Sequence, residues 1–250
     1  MSAHQLIIDH DKWRHGNGGA QAGVAGESDG DAYASLDLNL ITFSSSAFSG
    51  SSFASTTFKE ANWSFCQFIG VSFNDCDLTS ISISACSFTA CAFTGCRFQS
   101  GSITTSSFKG CTFTECNMHT LEMAHCSLEG SNYDKCQMQD SRMTDCTGGG
   151  GGTMSDCDMS GAAMSGCTFT GATLAGAVYS GTQWTGCKFQ SCTWKNLGFT
   201  NCQWNQVDIL DCHCDGIKGD GITGEKVFYY GSFFENSEFT NSSINANTVD

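Results

Sequence analysis

The chain has 250 residues with 29 glycines, 19 phenylalanines, 17 cysteines and no proline. Its net charge is −14, and its eleven basic residues are scattered among 25 acids, which argues against a sequence-independent grip on nucleic acid or on an anionic membrane surface. No run approaches the length of apolar chain that crosses a bilayer, and the N-terminus lacks a secretory signal, so a cytoplasmic protein is expected, with signal-less export left open.

Residues 1–35 lie outside any repeat. The stretch His15 to Asp31 is glycine-rich, and an irregular arm or cap is expected, with Gln5 to Ile8 and Trp13 docking on whatever follows. His4, His10 and His15 match no zinc-ligand spacing, so neither metal nor cofactor is expected.

From residue 36 a pattern of period five takes over. A step of five from Leu38 meets Phe43, Phe48, Phe53, Phe58, Trp63 and so on to Met143, always on a large apolar residue. Neither a helix nor a simple strand has that period. The frame meets the glycine run between Thr147 and Thr153, slips by one residue, and resumes at Met154. It fades at Gly219 and Gly224 and returns from Tyr229 to Val249. Two blocks result, 36–147 and 153–250. Two residues before each large position stands a small or medium one, and all but one of the 17 cysteines (Cys214) occupy that place. Cysteines distributed by register are packing groups, since free Cys behaves as a small buried hydrophobe.

Units such as Cys86–Ala90, Cys91–Gly95 and Cys96–Ser100 ("CSFTA CAFTG CRFQS") make the sequence similar to the pentapeptide-repeat family. That resemblance implies an all-β fold, a right-handed quadrilateral parallel β-helix with four five-residue sides per coil. About 42 repeat positions then give ten to eleven coils, a rod of roughly 50 Å at the spacing of paired strands. Absence of proline fits a wall in which every amide donates to a neighbour. Residues 20 apart should stack, Cys76, Cys96, Cys116 and Cys136 in one file and Phe68, Phe88, Phe108 and Leu128 in another. Seven of the eight methionines fall between Met118 and Met164, where the frame slips; gap-filling core is the plain reading, a bound hydrophobic ligand the sharper one.

Functional expectations follow from what is missing and from charge. No nucleophile–base set or phosphate loop is present, and a filled β-helix offers no cleft, so an enzyme is not expected. His119, His125 and His213 occupy outward places. Glu115, Glu122, Glu129, Asp134, Asp140, Asp145, Asp156 and Asp158 crowd the middle, while residues 159–207 hold no acid. The repeat runs to the C-terminus, so Phe234, Phe239, Ile244 and Val249 are expected inside an open final coil. The first functional expectation is a non-enzymatic scaffold that docks an unidentified protein or pairs as a homodimer through that coil. By family analogy it would be associated with a bacterial secretion or effector system. The second rests on similarity to the quinolone-resistance branch, whose members act on DNA gyrase as acidic DNA mimics.

Overall fold

The computed structural model describes residues 1–246; Val249 lies outside the described residues. Apart from one helix the chain is a quadrilateral parallel β-helix of about 11 turns. Most strands are three residues long, with the middle residue inward and its two neighbours outward, as in Ser87–Thr89 and Ala92–Thr94. Alternation of side chains across a strand dictates this arrangement. Each strand pairs in parallel with the equivalent strand one coil on, Phe68 with Phe88 and Phe88 with Phe108. Amides at the corners join the same ladders; Ser45 N donates to Ser64 O at 2.9 Å and Phe65 N to Ser84 O at 3.1 Å.

Four files of large side chains fill the core. On the second face Phe68, Phe88 and Phe108 stack with ring centroids 4.6 and 4.7 Å apart and planes within a few degrees of parallel. On the third, Phe73, Phe93, Phe113 and Tyr133 repeat at 4.8, 4.8 and 4.7 Å. Parallel rings at the coil spacing give offset stacking in addition to buried area.

Every fifth residue turns a corner with positive φ, from Ser35 (57°) to Asn241 (49°), and glycine occupies only some of these places. Bulky Phe65 and β-branched Thr105 and Thr120 adopt the left-handed region too. Each non-glycine corner costs about 1–2 kcal/mol, offset by the ladder bonds and core packing that the square coil allows.

The N-terminal segment differs from the sequence expectation. Ala3–Arg14 forms helix α1, and Gly23–Ala25, Ser28–Asp29 and Ala32–Ala34 form three walls of a first coil. That coil escapes a step of five because it is one residue short. Tyr33 pairs with Phe53, twenty on, but Val24 pairs with Phe43 and Asp29 with Phe48, nineteen on. Stepping back from Leu38 therefore meets Ser28 and Gly23 instead of the residues that occupy the inward places. Helix α1 starts at Ser2, whose hydroxyl accepts from Gln5 N, and buries Ala3, Ile7 and His10 on one face.

The fourth face changes character along the rod. Up to Asp158 it has only isolated bridges and closes with β-turns, Ile81 N donating to Leu78 O and Ala162 N to Met159 O. From Val178–Ser180 onward it is a true four-stranded sheet with Gly198–Thr200, Lys218–Asp220 and Glu238–Thr240. On alternate coils the first residue of the side reinforces the turn. Asp37, Asp77, Asn117 and Asp158 each use Oδ1 to accept the N–H two residues on, from Asn39, Thr79, His119 and Ser160. This is the Asx-turn, a side chain standing in for backbone. In the coils between, Thr57, Arg97 and Gln137 make no such bond and the same turn closes through backbone alone, Ala61 N donating to Phe58 O and Gly101 N to Phe98 O.

Candidate interaction surface

At the glycine run the extra residue sits in the corner. Gly150 and Gly151 both have positive φ (63° and 78°), between the walls Thr147–Gly149 and Thr153–Ser155. Register shifts there from twenty to twenty-one, Leu128 opposing Gly148 but Tyr133 opposing Met154, and both strand ladders continue. Gly148 itself stands in the file of large residues. A Cβ there would meet the Phe169 ring at 2.7 Å, because that ring leans into the vacated space. A cavity of about 30 Å³ remains, lined by Leu128, Tyr133, Met154, Phe169 and Leu174. That is room for one water-sized group and none for an organic ligand. The methionines Met118, Met123, Met138, Met143, Met154, Met159 and Met164 are buried core. Tyr133 Oη has no hydrogen-bond partner among the described residues.

All 17 cysteines are free and buried. Cys76, Cys96, Cys116, Cys136 and Cys157 form one file. The Sγ of each donates to a carbonyl one coil below, Cys76 to Phe53 O at 3.4 Å and Cys136 to Phe113 O at 3.4 Å. The Cys96 thiol and burial push Cys76 above the ordinary thiol range, and burial with the nearby Cys212 pushes Cys214 up to about 12. A thiolate, the nucleophilic form, is disfavoured at these two positions. Among the described residues no group of three His, Cys, Asp or Glu side chains is placed to hold a metal ion.

His10 and His4 tie the helix to the rod, while His15 contacts only Asp11 of the helix itself. Ala22 N–H donates to His10 Nδ1, so Nε2 carries the proton that goes to Asn39 O at 2.9 Å. His4 lies 3.0 Å from an Asp31 oxygen, and Asp11 accepts from Asp37 N. Helix α1 thus closes one end of the solenoid.

The acids of the middle do not share a face. Glu122 lies on the first wall, Glu129 on the second, Asp134 on the third and Asp158 on the fourth, while Asp140, Asp145, Asp156 and Glu115 occupy corners. They form a belt around the rod. His119 and His125 lie against it, 3.9 Å from Asp140 and 3.6 Å from Asp145.

At the other end Phe234 and Phe239 are 37% and 39% exposed, and with Tyr229, Ser232 and Ile244 they line an open depression of about 370 Å³. Their rings meet edge to face, Tyr229–Phe234 at 5.8 Å and Phe234–Phe239 at 5.9 Å. One coil below, Gly219 and Gly224 fill large inward places with no side chain, and Phe239 and Ile244 reach over them. Sequence reasoning did not find the outward aromatics of the same coils, Tyr230 and Phe233, which are 63% and 67% exposed. The signal was present, because the outward places elsewhere are mostly Ser, Thr, Asn or Gln.

Comparison with protein families matches a pentapeptide repeat region at residues 86–148 and pentapeptide repeats at 46–84 and 153–190. The chain belongs to the pentapeptide-repeat family. The family match breaks at 149–152, where the corner holds its extra residue. Among solved structures the chain is similar to HetL, a pentapeptide repeat protein involved in heterocyst differentiation regulation in a Nostoc cyanobacterium. Identity is 10%, coverage 82% of this chain and 87% of that one, and TM-score 0.40. It is similar also to QnrB1, a plasmid-mediated fluoroquinolone resistance protein, at 19% identity, 74% and 82% coverage and TM-score 0.39. A third likeness is to PfbA, a Streptococcus pneumoniae surface protein and adhesin, at 7% identity, 96% and 95% coverage and TM-score 0.41. Comparison with curated proteins finds no match. No helix among the described residues is long and apolar enough to cross a membrane.

Proposed function

We propose that this pentapeptide-repeat protein is a non-enzymatic, rigid interaction module that docks another protein at its C-terminal coils. The observation that carries this reading is the asymmetry of the two ends. Helix α1 covers the first coil, whereas Phe234 and Phe239 and the backbone edge of Phe233–Glu235 and Glu238–Thr240 are open among the described residues. An unpaired strand edge beside exposed aromatic surface is a template for another chain. Among the described residues the core between the ends is filled, with cavities of about 30 and 10 Å³. A cytoplasmic location, service in a bacterial secretion or effector system, and pairing of two copies through this coil are compatible with the same reading.

Phe239→Lys and Ile244→Lys test it by putting charge into the end. Associations of the wild-type chain, followed by sedimentation and by cross-linking in the cells that make it, should weaken in both variants. Unchanged association in both would remove the end from the reading.

The alternative is an acidic DNA mimic acting on DNA gyrase. Net charge of −14 and the rod shape favour it. A mimic of duplex needs charge along its length, and here the middle acids encircle the rod instead. A gyrase supercoiling assay separates the two readings; inhibition or protection at stoichiometric protein supports mimicry.

A further inference from the structure

The outer wall near the C-terminal end carries a surface of its own. Phe228 and Tyr230 flank the inward Tyr229 on the second face, and past the corner at Gly231 the third face turns Phe233 outward. Strand register places Asp208 beneath Phe228, Leu210 beneath Tyr230, His213 beneath Phe233, and Asp215 beneath Glu235. Asp211 holds the corner below Gly231. An apolar strip of Leu210, Phe228, Tyr230 and Phe233 is therefore framed by Asp208, Asp211, Asp215 and Glu235. Among the described residues none of these four carboxylates is in an ion pair.

We propose that this strip docks an arginine-bearing extended segment of another protein, a proposal that rests on the interaction-module reading and specifies the partner's chemistry. The fold does not require aromatic residues there. Two coils below Phe228, Tyr230 and Phe233 the same outward places hold Lys188, Gln190 and Thr193, in the same ladders. Contiguous exposed aromatic surface carries an aggregation risk and marks a binding site when it persists. The framing charge selects the occupant. A guanidinium stacks on Tyr and Phe faces and pairs bidentately with carboxylates. A second copy docked strip to strip would bring the same four carboxylates against their own counterparts, which like-charge repulsion opposes. Nucleic acid is opposed by the same charge.

The test uses the full chain and two labelled short peptides, one alternating arginine and serine, the other glutamate and serine. Fluorescence anisotropy should show binding of the arginine peptide alone, weakening as salt rises. Tyr230→Ser with Phe233→Ser, and separately Asp208→Asn with Glu235→Gln, should each weaken it about tenfold, equivalent to roughly 1.4 kcal/mol. Glu122→Gln with Glu129→Gln removes equal charge from the belt and should leave binding unchanged. Equal losses from belt and strip, equal binding of the glutamate peptide, or no binding would overturn the proposal. Dimerisation of the wild type that Tyr230→Ser with Phe233→Ser abolishes would also overturn it, in favour of a second copy. Loss of the strip proposal while Phe239→Lys still weakens association would leave the interaction-module reading standing. The two strip pairs act through different side chains on outward places, so a folding defect in one leaves the other informative.

Discussion

At single residues, the corners follow a rule that composition conceals. Asp75, Asp140, Asp145, Asp156, Asn196, Asn201 and Asp211 occupy left-handed corners, and the residue stacked on each one coil later is glycine: Gly95, Gly161, Gly166, Gly176, Gly216, Gly221 and Gly231. In every case the side-chain oxygen of the lower residue sits where a Cβ of the upper one would be. An Asx corner therefore demands glycine above it for space as well as for φ. Gly171 also has positive φ (64°), but nothing lies within 4 Å of its Cβ position. Gly171→Ala should cost about 1 kcal/mol, the backbone term alone, and Gly161→Ala about 2 kcal/mol or more. In an Asp140→Ala background the excess should vanish, since only the collision with Asp140 distinguishes the two sites. Urea melts of the double-mutant cycle measure the coupling. Additive effects of Gly161→Ala and Asp140→Ala would contradict the steric account.

Among the elements, the fourth wall and the helix each carry a prediction. Asp77 and Asp158 are Asx-turn acceptors with depressed pKa values. Burial raises both, but hydrogen bonds from Thr79 and Ser160 outweigh it, helped at Asp77 by Lys59 and Arg97 and at Asp158 by Gln139. A folded pKa below the unfolded value of about 3.9 stabilises the fold above that pH. The contribution is lost as pH falls through the depressed folded value. Asp158→Asn keeps the acceptor and removes the titration, so it should retain the turn and reduce the loss of thermal stability on acidification. Asp158→Ala should lose about 1 kcal/mol at neutral pH, where the acceptor is missing. At the other end Ile7, fully buried beneath the first coil, should be intolerant of Asp. Hydrogen exchange in Ile7→Asp should rise first at Gly23–Ala25 and its partner strand Thr42–Ser44, with the distant coils protected, because solenoid stability is a sum of neighbour terms.

Period-five large residues from Leu38 onward announce the square coil, since only inward places must be apolar, and stacks such as Phe68–Phe88–Phe108 follow by counting. The first coil stayed hidden because one missing residue before Tyr33 put Val24 and Asp29 out of step. The Asx-turns at Asp37, Asp77, Asn117 and Asp158 are visible only once coils are aligned, as they recur in every second coil. Tyr230 and Phe233 stand next to the inward aromatics Tyr229 and Phe234, and a period of five marks only the inward pair.

For the whole rod, continuity depends on where an extra residue is put. A residue added within a wall reverses the side chains beyond it, sending large groups outward and polar ones inward. At the glycine corner the addition is absorbed, because Gly150 and Gly151 both take positive φ and no atom lies within 4 Å of the Cβ position of Gly151. Deletion of Gly151 restores the common five-residue side, and the coils above need only rotate back into the register held below. That deletion should change stability by no more than about 1 kcal/mol. Phe108→Asp, in an unbroken stack between Phe88 and Leu128, buries an unpaired charge in a wall that cannot move away from it. It should cost more than about 4 kcal/mol and expose the middle coils. Inserting a glycine after Phe93, inside the wall Ala92–Thr94, should be as damaging as Phe108→Asp although it adds no charge. Thermal melts of the three variants decide the matter: comparable stability of the Gly151 deletion and the wall insertion would show that register does not govern this fold.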